Sequence, residues 1–147
     1  MRIVNAMTPE DVFLAAGRAL AQVHRFEHNL KGLAALVRSI ETADEGEAIT
    51  VDFSGFSLGP LVDHVRRLVH ADPDLEATME RARVRRNALC HAYFQDHAAE
   101  MATAEGRRAL VADLREDEAL FAHVAAQTTD LLARLVTALD ARLGDAS

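Results

Sequence analysis

Residues 8–42 read TPEDVFLAAGRALAQVHRFEHNLKGLAALVRSIET, and this stretch decides the fold. Thr8 can cap a helix by accepting a backbone N–H, Pro9 suits the first helical position, and Glu10 and Asp11 suit the positive end of the helix dipole. Behind this start runs an apolar series: Val12, Ala16, Ala19, Val23, Phe26, Leu30, Leu33, Val37 and Ile40. Its spacing alternates four and three, the seam of a helix packed along its whole length. The spacing predicts one helix over roughly 9–42, about 50 Å long at 1.5 Å per residue. Gly17 and Gly32 weaken such a helix, and close approach of a neighbouring helix is the expected reason for them.

Further along, residues 43–60 carry Gly46, Gly55, Gly59 and Pro60 and predict a connecting loop, followed by a short helix over roughly 60–70 with Leu61, Val65, Leu68 and Val69 facing one way. Asp72-Pro73 predicts the start of a third helix, over 73–98. The last helix starts between Thr103 and Arg107 and is expected to end near Leu143, before Gly144. Its seam is Leu110, Leu114, Phe121, Val124, Thr128, Leu131, Leu135 and Ala138, broken once by Asp117. The expectation is one all-α domain over 1–147: two long antiparallel helices and about two shorter ones in a bundle. The long helices outrun the short ones, which would leave apolar seam exposed and predicts a homodimer.

Composition agrees with that class. The 147 residues suit one domain, and a hydrophobic share of 50% is enough for a core. Seven Gly and three Pro are too few for a loop-rich β fold. The lone Cys90 makes no internal disulfide, which fits a reducing, cytoplasmic setting. Met1–Thr8 lacks the apolar core of a signal peptide, and no stretch approaches the ~18 apolar residues of a membrane span. The net charge of −7 argues against indiscriminate nucleic-acid binding through a broad basic surface but leaves room for a small basic site.

Such a site is found on the third helix. Its seam is Leu75, Met79, Ala82, Arg86, Leu89 and Tyr93, so an arginine takes a seam position. A guanidinium there requires a carboxylate, a wet groove or a phosphate, because an unpaired buried charge is costly. Arg83, Asn87 and His91 form an adjacent stripe four residues apart. Arg81, Arg83, Arg85 and Arg86 form the one dense basic cluster of an acidic chain. These side chains suit phosphodiester chemistry without a metal or other cofactor. An imidazole can take the proton of a ribose 2′-OH or give one to the leaving oxygen. A guanidinium stabilises charge on the phosphorane oxygens, and an amide can orient phosphate or imidazole. One helix supplies one histidine, so a twofold axis beside it would bring a second Arg86–His91 set into the same groove.

The pattern Arg86-Asn87-x-x-x-His91 resembles the signature of the HEPN superfamily, and His91-Ala92-Tyr93 matches its longer form with a tyrosine two residues after the histidine. That form is similar to the toxin of HEPN toxin–antitoxin pairs. The resemblance implies a metal-independent endoribonuclease acting on RNA as a homodimer, with Arg86, Asn87 and His91 catalytic; Arg83 and Arg85 of the basic cluster are the residues expected to hold substrate. It also implies a nucleotidyltransferase antitoxin that adds AMP to Tyr93. The motif match covers about eight residues, with the order of long and short helices in weak support.

Blander roles stand beside these. Arg86 could be structural, paired with an acid of another helix such as Asp113 or Glu118, and His91 a hydrogen-bonded core histidine. Tyr93 on a seam suits packing with its hydroxyl at the edge. The basic cluster suits a solvated face with Glu76, Glu80 and Asp96 as local partners. Cys90 would be a small buried hydrophobe. His24 and His28 share a helix face and raise a metal site, although no Glu-x-x-His pair accompanies them. A catalytically silent HEPN-like module that binds a partner protein or nucleotide is the alternative to an enzyme.

Overall fold

A computed structural model describes residues 5–43 and 73–145. They form five helices: α1 (Pro9–Ala43), α2 (Pro73–His91), the single turns α3 (Tyr93–Asp96) and α4 (Ala98–Met101), and α5 (Ala104–Asp145). The loop expected over 43–60 and the short helix expected over 60–70 fall, but for residue 43, on residues 44–72, outside the described residues.

Helix α1 begins where its capping chemistry dictates. The Thr8 amide donates to Asp11 Oδ2 at 2.8 Å, and the Asp11 amide donates to Thr8 Oγ1 at 3.3 Å. This reciprocal pair satisfies two amides of the first turn. The Thr8 amide also holds the Asp11 carboxyl below its ordinary pKa. The seam residues Val12, Ala16, Ala19, Val23, Phe26, Leu30 and Leu33 are all buried. They meet Leu110, Leu114, Phe121, Val124 and Ala125 of α5 in one core.

The two long helices run parallel, which corrects the expected antiparallel pair. Arg107 Nε, at the start of α5, donates to the Met7 carbonyl at 2.7 Å. Asn29 Nδ2 donates to Ala125 O at 2.9 Å and Thr129 Oγ1 at 2.8 Å. Farther on, Gly32 faces the side chain of Leu132. Residue numbers therefore rise together along both helices. Helix α2 runs the other way: Arg86 reaches Glu27 of α1, while Phe94 just beyond α2 touches Phe13. The described chain crosses the bundle three times, and an odd number of crossings leaves the first and last pointing the same way. The expectation of four alternating crossings gave the opposite sense.

The third helix is also shorter than expected. It ends at His91, and Ala92 departs from helical geometry with φ −151°. Two single turns then lead to α5. Gly106 makes this corner possible, since a Cβ on it would fall 2.6 Å from Glu100 Cα and closer still to the Glu100 carbonyl oxygen. The expected reason for the helical glycines holds for one of them. A Cβ on Gly32 would meet Leu132 of α5 at an ordinary 3.5 Å, and one on Gly17 would meet nothing within 4 Å. Helix α5 passes through Gly144 to Asp145, two residues beyond its expected end.

Candidate functional site

The site is built on α2, whose buried face is Leu75, Thr78, Met79, Ala82 and Leu89. Consecutive arginines at 85 and 86 point about 100° apart around a helix, so they reach different neighbours. Arg86 turns to α1. Its Nε donates to Glu27 Oε1 at 3.1 Å, and its Nη1 donates to Asn87 Oδ1 at 3.3 Å. Both side chains of the ion pair are 22% exposed, so the guanidinium sits at the edge of water. The seam arginine thus has its carboxylate, and Asn87 orients it.

Arg85 turns to α5. Its Nε donates to Asp117 Oδ1 at 2.7 Å and its Nη2 to Asp113 Oδ2 at 3.0 Å. Asp117, the acid that breaks the α5 seam, is therefore the buried counter-ion of Arg85. Burial pushes the Asp117 carboxyl above its ordinary pKa, against the opposing pull of the Arg85 hydrogen bond. The same hydrogen bond raises the Arg85 pKa further, so this guanidinium is permanently charged. Of the acids expected to pair with Arg86, Asp113 and Glu118, Asp113 belongs to Arg85 instead, and the two arginines tie α2 to both long helices.

Arg83 donates through Nε to Glu80 Oε2 at 3.0 Å on its own helix. His91 is exposed at the last position of α2, and Cys90 beside it is exposed rather than buried. His91 is thus no core histidine. Tyr93 is buried, and its hydroxyl donates to Asp113 Oδ2 at 3.2 Å. Burial first, and the Asp113 charge second, raise the phenol pKa above its ordinary value, so the hydroxyl stays protonated. The Tyr93 ring lies 4.6 Å from His97 and edge-on to Phe94 at 5.5 Å.

Arg86 and Asn87 are thereby brought together, and His91 stands five residues beyond Arg86 at the end of α2 with its imidazole open to water. Arg85 and Tyr93 belong to a separate network on the α5 side, under an open groove of about 600 Å³ lined by Arg81, Val84, Asp113, Leu120 and His123 among others. Sequence reasoning missed Glu27 and Asp117 as partners. The interrupted seam at Asp117 was the available signal for one, whereas Glu27 lies beside the α1 seam with nothing to mark it. His24 and His28 are both exposed. Among the described residues no group of three or more His, Cys, Asp or Glu side chains could hold a metal ion. None of their helices is long and apolar enough to cross a membrane.

Comparison with protein-family models, with curated proteins and with solved structures gives no match.

Proposed function

We propose that this chain is a metal-independent endoribonuclease of the HEPN type, acting as a toxin or defence effector with two copies forming the site. His91 transfers the proton, Arg86 stabilises the charge that builds on phosphorus-bound oxygen, and Asn87 orients Arg86. The observation that carries this reading is an exposed imidazole at the end of α2 and, five residues earlier on the same helix (about 7.5 Å along it and about 140° around it), a partly buried guanidinium that donates to the Asn87 amide. Glu27 balances the guanidinium until a phosphate competes for it, and in such sites the productive contacts commonly form only with substrate bound. Of the arginines expected to hold RNA, Arg85 is committed to two carboxylates of α5 and Arg83 to Glu80 of its own helix. Addition of AMP to Tyr93 by a partner nucleotidyltransferase requires its hydroxyl to leave Asp113 and the turn carrying it to open.

Purified protein should cut single-stranded RNA in the presence of EDTA, and His91→Ala should abolish cleavage while leaving the helical circular dichroism unchanged. Cleavage that survives the substitution defeats the mechanism. The Glu27–Arg86 ion pair favours a second reading, a silent HEPN-like module that binds a partner protein or nucleotide. Wild-type protein that neither cuts RNA nor harms cells on overexpression is the outcome for that reading.

A further inference from the structure

Where α1 and α5 first run side by side, they enclose a cavity of about 260 Å³ at the rim of their shared seam. It has room for about nine water molecules, or for a ligand of about that many non-hydrogen atoms. Ala15 and Val111, both buried, give it an apolar floor, and Leu14 stands beside them 58% exposed. Met7 forms part of the wall and is held in place, because its carbonyl accepts from Arg107 Nε at 2.7 Å.

Charge sets this cavity apart. Arg18 and Asp11 of α1 and Arg115 and Glu118 of α5 all line it. The parallel register brings them there. Residue 7 lies beside residue 107 and residue 29 beside residue 125, so Arg18 is level with residues 114–118. Opposite charges within reach of one another on a surface ordinarily close into weak pairs. Here they share a cavity and stay unpaired. Among the described residues Arg18, Arg115 and Glu118 make no side-chain hydrogen bond or ion pair. Asp11 commits only Oδ2, which accepts from the Thr8 amide at 2.8 Å and the Thr8 hydroxyl at 3.0 Å, and its Oδ1 stays open.

The cavity thus presents two guanidiniums and two carboxylates over an apolar floor, with no net charge among them. A simple anion would satisfy the arginines and be repelled by the acids, and a simple cation would do the reverse. A small zwitterion with a short apolar side chain satisfies all three kinds of surface. We propose that this cavity binds a free aliphatic amino acid. Arg18 and Arg115 hold its carboxylate, Glu118 and Asp11 Oδ1 hold its ammonium, and its side chain rests on Ala15, Val111 and Leu14. The site uses neither Arg86 nor His91, so it stands whether or not the chain cuts RNA.

Isothermal titration calorimetry of the full chain tests this with four probes: leucine, isocaproate (which lacks the ammonium), isoamylamine (which lacks the carboxylate) and inorganic phosphate. Leucine is expected to bind, and each of the other three at least about 10-fold more weakly. Arg18→Gln, Arg115→Gln and Glu118→Gln alter side chains that hold no partner in the fold, so their helical circular dichroism should match the parent. Each is expected to weaken leucine binding about 10- to 100-fold. Leucine affinity that is the same in the parent and the three variants overturns the site. Isocaproate or phosphate binding as tightly as leucine makes it a plain anion site, and isoamylamine doing so makes it a plain cation site; either result overturns the amino-acid ligand. No heat from leucine at millimolar concentration overturns the proposal outright.

Discussion

Where α5 lies along α1, the contact is made by Phe26, Leu30, Leu33, Leu114, Phe121 and Val124, every one fully buried. Among the described residues it is interrupted where the Asn29 amide reaches Ala125, Thr128 and Thr129. Where α2 lies across the same two helices, apolar contact shares the seat with ion pairs, Arg86 with Glu27 on one side and Arg85 with Asp113 and Asp117 on the other. The first contact has no chemistry to offer a ligand, and its strength comes from excluded water. The second is charged, partly wet and exchangeable, because a carboxylate that balances a guanidinium can be displaced by a phosphate. Function is expected at the second contact for that reason.

This contrast can be broken from the dry side first. Phe121→Ala empties the middle of the α1–α5 contact and should cost about 3–5 kcal/mol, read as a lowered urea midpoint. A loss below about 1 kcal/mol would mean the long pair is not the stabilising unit. Gly106→Ala attacks the corner that delivers α5. The added Cβ meets backbone at Glu100, which cannot rotate away, so a loss of about 1–3 kcal/mol is expected from the same melt.

Smaller effects sharpen the wet side. Glu27→Gln removes the charge balancing Arg86 and should cost about 1 kcal/mol, while raising RNA affinity if the guanidinium holds phosphate. Unchanged affinity would place Arg86 among purely structural residues. The smallest effect is one of pH. The Asp117 carboxyl has a folded pKa raised above its ordinary 3.8, so its favourable contribution is full below that value and fades as pH rises through the folded pKa. Urea melts of Asp117→Asn and the parent should therefore shift in favour of the variant as pH rises from about 4. Asp11 has the opposite sign, since its lowered pKa gives stability at higher pH that is lost on acidification. A flat difference for Asp117 across that range would mean its burial is not felt.

Much of this was legible in the sequence. The four-three spacing of α1 and its Thr8–Asp11 start follow from local rules, and the structure has both. The demand that Arg86 find a carboxylate, a wet groove or a phosphate was legible too, since it follows from the cost of an unpaired charge, and the structure has the first of these. Which carboxylate it finds was not, because that depends on the side of α2 on which each long helix lies. Helix direction was hidden for a related reason: an apolar seam has the same spacing read either way, and direction follows from the count of crossings. The break at Ala92 carries no Gly or Pro. It accompanies the burial of Tyr93 and its hydroxyl bond to Asp113, contacts made by residues twenty apart. Exposure of Cys90 and His91 follows from where α2 stops, so the candidate site was legible in its residue types and not in its accessibility.

Parallel long helices separate two positions that many small bundles keep together. Residue 5 lies near the start of α5, and residue 145 lies at its far end, 42 helical residues away, or about 60 Å. A flexible peptide joining the two would have to span the length of α5. Dyes attached at those two positions would report the length of α5 as a ruler does, with low energy transfer while the bundle is intact and still lower transfer when the chain unfolds to a coil about 95 Å from end to end.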